Sequence, residues 1–129
     1  MNEIKEYLEL NDKDNKLKNI YSYILKEYPE LELIMKWDNP VLIIHNTFIM
    51  SIVLNNEDIV VSIEETALNS FREEFKDKYR LNRWLLKTDK ELELKDINKM
   101  IDYKLIEKKD YNTYWKNDSK RLIKNTLLT

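Results

Sequence analysis

The sequence predicts an α+β protein of two layers, an antiparallel sheet of about five strands packed with helices, with N- and C-terminal helices flanking a strand meander. Three observations predict it. The hydrophobic period switches from helical to two at Leu31, short β-branched runs then follow one another with only polar turns between them, and the helical period returns after Ile63. No Pro- or Ser-rich linker and no internal repeat interrupts the 129 residues. The chain therefore reads as one domain over 1–129, with a core over about 15–116 and a C-terminal helix or tail over 117–129.

Each element follows from its own residues. A short helix is expected around 3–10. Leu17, Ile20, Tyr21, Ile24, Leu25 and Tyr28 recur at helical spacing and predict an amphipathic helix over 15–28 that Pro29 helps to end. Leu31, Leu33, Met35 and Trp37 then alternate with Glu32, Ile34 and Lys36, so the first strand is expected to point Trp37 into the core. Pro40 opens a second strand, where its missing donor is tolerable, and His45-Asn46 turns it back. Residues 47–54 and 58–63 form the third and fourth strands around an Asn55-Asn56 turn. Ser62 and Glu65 have capping-box spacing before a helix striped by Leu68, Phe71, Phe75 and Tyr79. Residues 83–87, with Trp84, read as a fifth strand. Leu94, Ile97, Ile101 and Leu105 lay out another helix, and Tyr111, Tyr114, Trp115 and Leu122 a last one whose rings are expected to close the core.

Composition removes several functions. With no cysteine there is no disulfide, thiolate nucleophile or Cys-held zinc or iron–sulfur cluster. With no glycine there is no phosphate-cradling loop, and asparagine must serve wherever a turn needs positive φ. A balance of 22 Lys+Arg against 24 Asp+Glu gives no basic footprint for nucleic acid. The charged opening residues lack a signal-peptide core and no apolar run is long enough to span a bilayer, so the cytoplasm is the expected location and no membrane partner is expected.

One stretch is specific. Lys36-Trp37-Asp38-Asn39-Pro40, an apolar strand, and then His45-Asn46-Thr47-Phe48-Ile49 resemble the signature of the YdhG-like family, small proteins described as intracellular iron chaperones. In that family the second block runs His-Gly-Thr-Phe-Ile, so Asn46 stands in the glycine's place. The likeness continues through Phe71 and Phe75, the Asp89-Lys90 turn and the closing Tyr111 to Lys116. It implies a cytosolic, non-enzymatic, frataxin-like iron carrier. Such a protein has no tightly bound cofactor, carries iron transiently and delivers it to iron–sulfur assembly or other iron-accepting proteins.

The residues offer ligands but no ready-made motif. His45 is the only histidine, and neither a His-x-x-x-His nor a Glu-x-x-His spacing occurs. Iron would therefore be held weakly, by carboxylate oxygens with at most one imidazole, at Asp38, His45, Glu57 and Asp58 if the turns converge, or at Glu73 and Asp77 if the next helix places them one turn apart. Glu74 and Lys78 have the spacing of an i, i+4 pair on that helix. A cleft formed by Trp37, Asn39, Pro40 and Phe48 is the matching site for the alternative reading, a small protein- or ligand-interaction module with no metal. No nucleophile elbow or paired catalytic base is present, which argues against an enzyme.

Overall fold

The computed structural model describes the backbone of residues 2–117 and the side chains of residues 3–107. Its elements are α1 (Asn2–Asn11), α2 (Lys16–Glu27), β1 (Glu32–Lys36), β2 (Asn39–Ile44), β3 (Thr47–Asn55), β4 (Asp58–Ser62), α3 (Glu65–Phe75), β5 (Arg80–Leu81), β6 (Leu85–Thr88) and α4 (Leu94–Asn117). All six strands pair antiparallel in the order β1-β2-β3-β4-β6-β5. The expected α+β meander is present, with the two-residue strand β5 added at its edge. The separate helices expected at 94–105 and from 111 are one continuous helix. The rings of Tyr111, Tyr114 and Trp115, and all of 118–129, lie outside the described residues.

Absent glycine, three hairpins turn on other residues. Trp37 and Asp38 (φ 54° and 62°) connect β1 to β2, and His45 and Asn46 (φ 49° and 62°) connect β2 to β3. Both pairs have the double positive φ of a type I′ turn, which matches the twist of the flanking strands. Asn46 adopts the left-handed conformation its position requires. The third turn uses Asn56 at φ 58° and Glu57, closed by the Asn55–Asp58 pair, one residue later than the Asn55-Asn56 turn expected.

Trp37 is the main correction. It is 68% exposed, because the strand ends at Lys36 and a turn residue with positive φ leaves the alternation that would have carried it inward. Leu31 is buried, while Leu33 and Met35 are only half-buried.

The core lies between one sheet face and the helices. Leu42, Met50, Ile52, Val61 and Leu86 of the sheet meet Leu17, Tyr21 and Ile24 of α2, Leu68 and Phe75 of α3, and Ile97 and Ile101 of α4. Helix α3 stops at Phe75, so Tyr79 reaches the core from the following turn, edge-on to Phe75 at 5.6 Å. In α4 the buried stripe is Ile97, Met100, Ile101 and Lys104, whereas Leu94 stays 42% exposed. The Lys104 ammonium is buried but paired with Glu64 and with Glu107, as burial of a charge requires. The cap of α3 is Glu64 rather than Ser62, and it makes no side-chain capping bond.

Two polar devices complete the frame. Buried Asp12 accepts the backbone N–H groups of Leu17 and Lys18, both at 2.9 Å, and so caps α2 from outside the helix. The Tyr21 hydroxyl donates to Ile52 O at 2.6 Å and accepts Ile52 N–H at 2.7 Å. It fills the seam where the β2–β3 ladder stops short of Pro40, whose carbonyl instead accepts from Ser51 Oγ at 2.6 Å.

Candidate functional site

An antiparallel meander sends successive turns to opposite ends of the sheet, and this decides which candidate ligands can meet. Asp38, Glu57 and Asp58 lie at one end, whereas His45 lies at the other, across the length of β2 and roughly 20 Å of extended chain. The expected set Asp38, His45, Glu57 and Asp58 therefore does not converge. Asp58 is in addition ion-paired with Arg80. The alternative pair is also separated from its expected geometry, since α3 ends at Phe75 and Asp77 sits in the turn beyond it. Glu73 pairs with Lys76 at 2.8 Å. Glu74 meets Lys99 rather than Lys78, and Lys78 bridges Glu93 and Asp96. Among the described residues no three His, Cys, Asp or Glu side chains form a metal-holding group.

The expected cleft of Trp37, Asn39, Pro40 and Phe48 is likewise divided. Trp37 and Phe48 stand at opposite ends of the sheet, Pro40 is buried, and the Asn39 amide donates to Trp37 O at 3.1 Å. Each end has its own cavity.

At the Trp37 end, α1 lies against the β1–β2 hairpin and leaves an open cleft of about 410 Å³ lined by Glu3, Glu6, Tyr7, Leu10, Asn11, Met35, Lys36, Trp37 and Asp38. Glu3, Glu6 and Leu10 follow one another at helical spacing along α1, which is why they share the wall facing the hairpin. Three carboxylates thus line one cleft. Among the described residues its one base, Lys36, holds its ammonium 4.9 Å from the centre of the Trp37 ring. Burial, and next the Asp12 carboxylate, push the Tyr7 phenol above its usual range, so it remains a neutral hydroxyl. Glu3 and Glu6 were not singled out by sequence reasoning. Their i, i+3 spacing was visible, but nothing in the sequence reports that α1 docks beside Asp38.

At the opposite end, Phe48, Ile63, Trp84 and Leu85 form a mainly apolar cavity of about 430 Å³ rimmed by Ser62, Glu64, Glu65 and Thr66. Trp84 is 57% exposed there. Arg83 lies 5.9 Å from its ring centre and pairs with Glu65 at 2.8 Å.

This arrangement defines a small α+β protein with an open six-stranded antiparallel sheet, and known proteins share it. The crystal structure of YdhG from Bacillus subtilis, of the DUF1801 family, superposes with a TM-score of 0.78 at 22% identity, over 87% of this chain and 95% of that one. An uncharacterised conserved protein from Lactobacillus casei superposes with a TM-score of 0.56 at 24% identity, over 86% of this chain and 96% of the other. In sequence, the chain is 23% identical over 100 residues to the Bacillus subtilis protein named intracellular iron chaperone frataxin, covering 75% of this chain and 81% of that protein. No family profile matches the chain. Among the described residues no helix is long and apolar enough to cross a membrane.

Proposed function

We propose that the chain is a YdhG-like protein that carries iron as cargo, without catalysing a reaction, and loads it in the cleft between α1 and the β1–β2 hairpin. The observation that carries this reading is the sharing of one open cleft by Glu3, Glu6 and Asp38. Hard oxygen donors suit iron. Because the three carboxylates do not close into a ligand shell and the chain has no thiolate, the ion is held weakly and remains exchangeable, as a carrier requires. The iron-chaperone name of the Bacillus subtilis relative supports the same reading, as does the signature from Trp37 to Ile49. Transfer to an iron-accepting protein in the cytoplasm is part of the proposal.

Anaerobic calorimetry with Fe(II) tests it on wild type and on a Glu3→Gln/Glu6→Gln/Asp38→Asn variant. Saturable binding in wild type, weakened at least tenfold in the variant and weakened also on acidification as protons compete for the carboxylates, is the expected result. No saturable heat, or undiminished affinity in the folded variant, overturns it.

A second reading rests on a different observation, the exposure of Trp84 over the cavity it shares with Phe48. Exposed tryptophans beside apolar pockets are typical anchors of protein contacts. On this reading the chain is an interaction module without metal, and it gains if iron binding fails.

A further inference from the structure

A third cavity lies between α2, the start of β4 and the connection from β6 to α4. At about 470 Å³ it is within the size range of small-ligand pockets, and it takes its lining from three separate parts of the chain. Its floor is apolar: Ile20, Ile59 and Leu92 are all buried core residues, and Tyr23 and Leu94 extend the apolar surface to the rim. Leu94 is the exposed leucine that departs from the core stripe of α4. Tyr23 is held in place, since its hydroxyl accepts from Asn98 Nδ2 at 2.7 Å.

Charge of both signs surrounds this floor. Lys16 stands at the first turn of α2, and Asp89, Lys90 and Glu91 follow one another in the connection. Among the described residues none of these four side chains forms an ion pair, whereas Glu93, at the other end of the same connection, is engaged by Lys78 and Lys95. The backbone N–H of Lys90 donates to Thr88 Oγ1 at 3.1 Å, which fixes the turn that presents the two residues on either side of it. Two cations and two anions cancel in net charge, so neither a polyanion nor a free cation is selected. A molecule bearing one positive and one negative group on an apolar body satisfies both rim charges and covers the floor at once. The volume fits a free amino acid with a large side chain, or a dipeptide.

We propose that this cavity binds an apolar zwitterion of the α-amino-acid type, its carboxylate met by Lys16 and Lys90, its ammonium by Asp89 and Glu91, and its side chain laid on Ile20, Ile59 and Leu92. The site is distinct from the carboxylate cleft beside Trp37 and does not depend on iron.

The test follows backbone amide chemical shifts of the full chain during titration with L-phenylalanine and with leucyl-leucine, and with two probes that each lack one charged group, phenethylamine and 3-phenylpropanoate. Saturable shifts centred on Ile20, Ile59, Leu92 and Leu94 are expected for at least one zwitterion, with each single-charge probe weaker by tenfold or more. Lys16→Gln/Lys90→Gln, two exposed positions whose loss leaves the core intact, is expected to weaken the zwitterion by tenfold or more without changing the spectrum of the free protein elsewhere. Response to L-phenylalanine alone identifies a free amino acid as the ligand, and response to leucyl-leucine alone a peptide. Absence of saturation for both zwitterions, equal binding of a single-charge probe, or undiminished binding by the folded variant overturns the assignment.

Discussion

At Trp37 the chain places a large aromatic side chain in a left-handed turn position and leaves it mostly in water. A left-handed residue other than glycine or asparagine carries a steric cost of roughly 1–2 kcal/mol, and the Lys36 ammonium over the ring returns about 0.5–1 kcal/mol of this at an exposed site. Trp37→Asn is therefore expected to unfold in urea at an unchanged or higher midpoint, since asparagine is the residue type preferred there. A loss of about 3 kcal/mol or more, the cost of truncating a buried aromatic, contradicts the exposed placement. Asn46 shows the opposite relation between sequence and structure. Its left-handed conformation was legible because a chain without glycine has few residue types able to supply it, whereas Trp37 was misread because strand alternation was extended one residue into a turn.

The element that organises the sheet is the seam between β2 and β3, and its closure belongs to α2. Pro40 cannot donate to the ladder, and the register shifts between Leu42 and Ile43, so Ile52 finds both its partners in the Tyr21 hydroxyl. Tyr21→Phe keeps the ring and strands a buried donor and a buried acceptor. Each unsatisfied group costs about 1–3 kcal/mol, so the variant is expected to lose at least about 2 kcal/mol in denaturant unfolding, with slowed amide exchange at Ile52 abolished. A change below 0.5 kcal/mol, roughly the size of a surface substitution, would show that the hydroxyl is not closing the seam. The helical period identified Tyr21 as inward-facing, and it could not report that the hydroxyl reaches a strand more than thirty residues away. Helix α4 repeats the lesson, because Lys104 occupies a core position that only its partners Glu64 and Glu107 make tolerable.

Over the whole molecule, buried and half-buried phenols tie α2 to the sheet and α4 to the segments that follow α2 and α3, and they make the fold sensitive to alkali. Burial is the leading cause that raises Tyr21, Tyr28 and Tyr79 well above the usual phenol range, reinforced at Tyr28 by its bond to Asp102 at 2.7 Å and at Tyr79 by its bond to Asp96 at 2.5 Å. In the unfolded chain these groups ionise near about pH 10. Above that pH the unfolded state binds fewer protons than the folded one, so the stability they contribute is complete below about pH 10 and is lost as pH rises toward the folded values. Absorbance at 295 nm recorded with circular dichroism is expected to show part of the tyrosine signal appearing only as the fold is lost. Simple titration of all 8 tyrosines in the folded protein contradicts this.

What the sequence determined by itself was local: the change of period at Leu31, the helical stripes of α2 and α3, the asparagine turns, and the exclusion of thiolate and glycine-loop chemistry. These follow from residue type and spacing, which the chain carries wherever it is folded. Tertiary structure alone decided which residues are neighbours. Alternation of hairpin ends placed His45 away from Asp38, the docking of α1 brought Glu3 and Glu6 to that aspartate, and the β6–α4 connection met α2 around Ile59. Such sites depend on contacts between segments distant in sequence, and periodicity within one segment contains no information about where another will pack.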